Sequence, residues 1–165
     1  MAAANLTVAR LRELLDYDQA TGVFTWRVNR RRAKAGAVAG SAYPSGYIRI
    51  KIDRHEHLAH RLCWLYVTEA WPSSQIDHRD GNRSNNRFAN LREATRSVNT
   101  QNQRRAQSSN RSGLLGVRRS HSGWRATIRI PGEQRQQHLG VFDTKEDAHA
   151  AYLTAKRQWH PGSTL

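Results

Sequence analysis

The chain has 165 residues, 38% of them hydrophobic, and a single cysteine, Cys63; it can bury one ordinary core or two small ones, but it has no internal disulfide and no cysteine-rich structural zinc site. No apolar run approaches the roughly 20 residues of a membrane-spanning helix, and the start MAAANLTVAR lacks the basic and apolar stretches of a secretory leader, so the expected setting is cytoplasmic and away from membranes. The formal charge is +14, with 16 basic and 9 acidic side chains in residues 1–99 and 11 and 4 in residues 100–165; 23 of the 27 cations are arginine, whose planar fork pairs with phosphate and stacks on bases, so both halves favour a polyanion, with acidic membranes or acidic partners as the alternative.

In chain order, Val8, Leu11, Leu14 and Leu15 fall at helical spacing behind Thr7, which predicts a short capped helix. Residues 16–22 read as a turn. Phe24 and Trp26 alternate with polar neighbours and predict a strand over 23–27. The stretch NRRRAKAGAVAG is a loop whose arginines at 30–32 face either phosphate or solvent. Gly46 to Asp53 alternates strictly, with Ile48, Ile50 and Ile52 against Tyr47, Arg49 and Lys51, and predicts a strand that returns through a turn at Asp53 and Arg54. The cluster Leu62, Cys63, Trp64, Leu65, Tyr66 predicts a helix ending before Pro72. His55 and His57 lie in the hairpin and receive no chemical role. Residues 101–112 are polar with no apolar anchor and read as a linker.

The segment with chemistry runs over 59–99. Asp77 and His78 are adjacent, Asn90 follows His78 by 12 positions, and Asn99 follows Asp77 by 22. Hydrolysing a phosphodiester near neutral pH needs a base to activate water and a metal, held by hard oxygen ligands, to neutralise the leaving oxygen. Neighbours in a strand point to opposite sides, so bringing Asp77 and His78 to one site requires a bend, and the turn at Asp80, Gly81 and Asn82 is a natural place for it. The opening HRL, the turn DHRDGNRSNN and the strand NLREAT together resemble the HNH nucleases, especially the small phage and intron-encoded homing endonucleases whose core is two strands and a helix around one metal ion.

The resemblance implies His78 as general base, Asp77 and Asn99 as ligands of one divalent ion, and Asn90 as the residue that holds the base and its loop. A ligand pair of Asp and Asn implies magnesium or manganese. His60 is assigned either to the scissile phosphate or to a buried structural place ahead of its helix, and Arg61 is open in the same way between DNA contact and structure. Taken alone, His78 could be a surface histidine in a turn, and Asn90 and Asn99 could be caps.

The C-terminal part predicts strands over 116–120, 124–130 and 136–142, with turns at HSG and PGEQ, then a helix from Thr144 carrying Ala148, Ala151, Tyr152 and Ala155, with Asp147 completing a capping box and Pro161 ending it. In the second strand Trp124, Ala126, Ile128 and Ile130 share one face, and Arg125, Thr127 and Arg129 the other. The residues SGLLGVRRS, GWRATIRI and HLGVFDTKEDAHAAY resemble the DNA-binding domain of plant ethylene-response factors. That resemblance implies DNA contacts from Arg118, Arg125, Thr127 and Arg129, with base preference left open by Leu115, Ser120 and His138.

The expected fold class is α+β: an HNH ββα-metal nuclease domain over 1–100 with its core at 59–100, a linker at 101–112, and a three-stranded antiparallel sheet packed on one helix over 113–160. The expected function is a metal-dependent endonuclease that nicks double-stranded DNA at chosen sites, monomeric by default, in the cytoplasm of its host. The alternative is a non-catalytic DNA-binding regulatory or architectural protein; RNA cleavage is a third reading.

Overall fold

The computed structural model describes residues 6–107 and 109–164. Contacts divide the chain into two compact units, Met1–Ala94 and Thr95–Leu165. No helix among the described residues is long and apolar enough to cross a membrane.

The first unit opens with helix α1, Val8–Leu14, whose N-terminus is capped by the Thr7 hydroxyl accepting from the Arg10 amide at 3.2 Å. The helix is shorter than its periodicity suggests. Leu15 starts strand β1, Leu15–Asp18, within the span read as a turn, and β1 pairs antiparallel with β2, Val23–Trp26. The reason lies in burial on both sides of the junction. Leu11 and Leu14 bury from the helix, while Leu15 buries from the strand opposite Trp26, so one run of leucines serves two elements.

Strands β3, Ser41–Ala42, β4, Ile48–Ile52, and β5, His55–Leu58, form a three-stranded antiparallel sheet with β4 in the centre. The β4–β5 turn sits where expected: Asp53 and Arg54 take positive φ of 44° and 73°. Helix α2, Ala59–Thr68, follows and ends at Glu69 in the left-handed conformation. Leu11, Leu15, Phe24, Ile50, Ile52, Leu62 and Cys63 are its common core, each at most 2% exposed; a Leu or Ile side chain taken from water this way stabilises by about 1.5–3 kcal/mol. Strands β6, Gln75–His78, and β7, Leu91–Ala94, then pair antiparallel, with the loop 79–90 between them.

The second unit begins with helix α3, Arg96–Gln101, capped by Thr95. Strands β8, Val117–Ser120, β9, Gly123–Arg129, and β10, Gln136–Phe142, form an antiparallel sheet in the order β10-β9-β8. Helix α4, Lys145–Trp159, is capped by the Thr144 hydroxyl, which accepts from the Asp147 amide at 3.1 Å. Alternation puts Ala126 and Ile128 of β9 in the buried layer with Ala148, Tyr152 and Ala155 of α4, and leaves Arg125 and Arg129 exposed. Gly116 is required here: it has φ of 71°, and a Cβ there would lie 2.0 Å from the Tyr152 ring.

The contact boundary after Ala94 precedes the polar stretch 101–112, and that stretch is anchored without apolar residues. The Gln101 side chain accepts from the Gly162 amide at 3.1 Å, the Asn102 side chain from the Thr164 amide at 3.2 Å, and the Lys156 ammonium donates to the Gln103 carbonyl. The Ser112 hydroxyl donates to the Val117 carbonyl at 2.8 Å. Polar composition resembles a solvated linker until its donors and acceptors are counted.

Candidate active site

The last residue of β6, His78, is 4% exposed. Its Nε2 lies 3.3 Å from Asn86 Oδ1. Asn86 is oriented by its own Nδ2, which donates to the Ser84 carbonyl at 3.2 Å, so its oxygen faces the imidazole. With an oxygen there, Nε2 carries the proton and donates, and Nδ1 becomes the basic nitrogen. Burial holds the His78 imidazole below the ordinary histidine range, opposed by the bond to Asn86 and by the Asp80 and Asp77 charges, which leaves it neutral and able to accept a proton at neutral pH.

His60, in the first turn of α2, meets His78 edge-on with ring centroids 5.1 Å apart. Tyr47 closes the group, 5.2 Å from His60 and 6.0 Å from His78. Burial lowers the His60 pKa to about 3, helped by the neighbouring His78 and Arg61. His60 is therefore an uncharged ring, and its Nδ1 is buried with no hydrogen-bond partner among the described residues. It packs inside the helix; it does not precede it. Arg61 lies over Trp71, its guanidinium carbon 5.7 Å from the ring centroid.

The loop 79–90 is a cross-braced polar turn centred on two residues. Asn90 Oδ1 accepts from the Asp80 amide at 3.0 Å, and Asn90 Nδ2 donates to Asp80 Oδ1 at 3.0 Å and to the Asn85 carbonyl at 2.9 Å. Asp80 also accepts from the Asn82 amide at 2.8 Å and from Asn85 Nδ2 at 2.7 Å. Burial pushes the Asp80 carboxyl up, but the donors from Asn85, Asn82 and Asn90 outweigh it and hold the pKa below the usual range. The amide of Arg79, the residue after His78, donates to the Asn90 carbonyl at 2.8 Å. Asn90 thus ties both ends of the loop beside the imidazole.

Asp77 is 5% exposed and has a different neighbour. Arg92, directly opposite on β7, donates Nε and Nη2 to Asp77 Oδ2 at 2.9 and 2.8 Å. In β6 the Asp77 carboxylate meets Arg92 and the His78 imidazole meets Asn86, Tyr47 and His60, and the turn expected after them is present, with the Gly81 amide donating to the His78 carbonyl at 2.9 Å. Asn99 lies in α3, in the second unit. Among the described residues no group of three or more His, Cys, Asp or Glu side chains is placed to hold a metal ion.

Sequence reasoning gives no role to Asn86, Arg92 or Tyr47, and reads Asp80 only as part of a turn. Asn86 and Asp80 stood inside the turn motif as letters of a pattern. Only the fold of the loop shows that one faces the imidazole and the other is the hub. Arg92 was legible in principle, since antiparallel pairing of 75–78 with 91–94 sets it against Asp77. Tyr47 comes from the distant strand side of the hairpin, and no local signal marks it.

A second buttress reaches the loop from the N-terminal hairpin. The Tyr17 hydroxyl donates to the Asn86 carbonyl at 2.8 Å and accepts from the Cys63 thiol at 3.0 Å. Arg87 Nε donates to the Ala20 carbonyl. Gly22, with φ of 75°, lets the β1–β2 turn approach so closely that a Cβ would lie 2.4 Å from the Arg87 amide nitrogen.

Residues 57–101 match the family described as HNH endonuclease. The matched segment holds the last two residues of β5 and all of α2, β6, β7 and α3, and so contains His60, Asp77, His78, Asn90 and Asn99. The match covers that segment alone and leaves residues 1–56 and 102–165 outside it. No curated protein and no solved structure matches the chain.

Proposed function

We propose that the chain is a metal-dependent endonuclease that nicks double-stranded DNA in a site-directed way, of the phage or homing type. The observation that supports this most is the His78 imidazole: it lies inside the matched segment, neutral, with its tautomer set by Asn86 and its loop held by Asn90 and Asp80. In the reaction His78 Nδ1 takes a proton from water as the water oxygen attacks phosphorus and a bridging P–O bond breaks. Asn86 keeps the other ring nitrogen protonated so that the acceptor faces one way. His60 and Tyr47 pack the ring and keep water from its flank.

Asp77 and Asn99 are the proposed ligands of a divalent ion. Their donors are a carboxylate and an amide oxygen, hard atoms suited to magnesium or manganese. When bound, the ion neutralises charge developing on the leaving oxygen. Asp77 reaches the ion only by sharing or releasing Arg92, which holds Oδ2 here. Released, that guanidinium is a further cation beside the substrate phosphate.

The C-terminal sheet and helix are proposed as a DNA-recognition module related to the ethylene-response-factor domain. Support comes from the exposed Arg118, Arg125 and Arg129 and the partly exposed Thr127 on β8 and β9.

A supercoiled-plasmid assay tests the reading. Nicked circles are expected with Mg2+ or Mn2+ and none with EDTA; His78→Ala should lower the rate by about two to four orders of magnitude with DNA affinity retained. Absence of cleavage with every divalent metal, with DNA binding intact, would leave a DNA-binding regulator.

A further inference from the structure

In the second unit a cavity of about 790 Å3 has two walls of different origin. Arg118, Thr127 and Arg129 of the sheet line one side, and Arg96 and Thr100 of α3 line the other. The three guanidiniums are exposed, and none forms an ion pair among the described residues. Against them the lining holds a single acid, Glu133 at the β9–β10 turn.

Two features indicate that this charge is arranged for a ligand. Arg118, inside the cavity, is the direct cross-strand partner of Arg125, outside it, and like charges placed opposite each other destabilise a sheet, so an anion held by Arg118 in the cavity relieves the pair. The second feature is the rigidity of the wall. His160, 9% exposed, lines the same cavity and bonds through Nε2 to the Arg129 carbonyl at 2.7 Å. The Gln101 side chain accepts from Gly162, pinning α3 to the tail beyond α4.

Resting on the DNA-binding reading above, we propose that α3 and the sheet form a clasp for one sugar-phosphate backbone of duplex DNA, with Arg96, Arg118 and Arg129 as its phosphate contacts. A flat arginine sheet can enter the major groove and read bases. A groove closed on one side by a helix instead admits a strand of phosphates, which fixes register and carries no sequence information. Arg125 lies outside the cavity lining and remains the base-facing arginine of β9.

The test uses the full chain silenced by His78→Ala and measures duplex affinity by fluorescence anisotropy over a salt series. Arg96→Ala and Arg129→Ala should each weaken binding about three- to tenfold on unrelated sequences alike and reduce the slope of log affinity against log salt by about one. Arg96→Lys should restore the slope, and Arg157→Ala, outside the cavity, should leave it unchanged; circular dichroism checks the fold of each variant. Loss with Arg129→Ala but none with Arg96→Ala overturns the clasp and keeps the DNA-binding sheet. Loss confined to one sequence overturns it in favour of base readout. A parent protein with no salt-dependent affinity for any duplex overturns the DNA reading itself.

Discussion

At the scale of single residues, the proposed chemistry depends on which nitrogen of His78 holds the proton. The Asn86 oxygen imposes that choice, and Ser84 in turn fixes Asn86. Asn86→Ala should therefore leave the fold in place and lower the cleavage rate by about ten- to a hundredfold, as loss of an orienting partner does elsewhere; single-turnover nicking of supercoiled plasmid measures it. A variant as fast as the parent would mean that the tautomer is set by another group. This dependence was not readable in the sequence. The resemblance to the HNH nucleases points to His78 and Asn90, whereas Asn86 needs a loop that doubles back eight positions to face the imidazole. Asp77 is the opposite case: the residue was named, but its partner Arg92 follows only from the strand register.

At the scale of elements, the β1–β2 hairpin acts as a prop for the active loop. Tyr17 holds the Asn86 carbonyl, Arg87 reaches the Ala20 carbonyl, and Gly22 permits the close approach. Gly22→Ala places a methyl group against the 86–87 backbone at a positive φ, and is expected to destabilise the protein by about 1–3 kcal/mol. Cleavage should fall beyond what the unfolded fraction accounts for, because the displaced backbone carries Asn86. Urea midpoints paired with activity at low denaturant separate the two effects. Most elements were legible because one face of each is apolar: the Ile48, Ile50, Ile52 alternation and the 144–159 helix are found nearly where expected. Strand β1 and helix α3 were missed for physical reasons. Four residues beside a helical run carry too little period, and α3 has no apolar stripe, being anchored by amides and hydroxyls.

At the scale of the whole molecule, the second unit contains one buried cation whose titration can be followed. Lys156 is 1% exposed, and burial, with the nearby Arg104, lowers its pKa from 10.5 to about 8. Between those values the unfolded chain binds the proton and the folded one does not, so stability rises with pH across that window. Below about pH 8 both forms are charged and the full penalty of burying the ammonium is present. The difference in thermal stability between parent and Lys156→Met should therefore change steadily in the parent's favour from pH 8 towards 10. It should be read below pH 10, since burial raises the Tyr152 phenol and acts in the opposite direction above that point. A flat difference would indicate that the ammonium is hydrated in solution.

The HNH match runs to residue 101, yet the fold changes hands after Ala94, so Asn99 is held by the unit that follows. Its helix is fastened by Gly162 and its exit by Lys156 and Thr164. Grafting a foreign recognition module at the polar stretch would thus strip the fastening from a proposed ligand. Retargeting such a chain calls for keeping the terminal tail together with α3, or for supplying a new brace in its place.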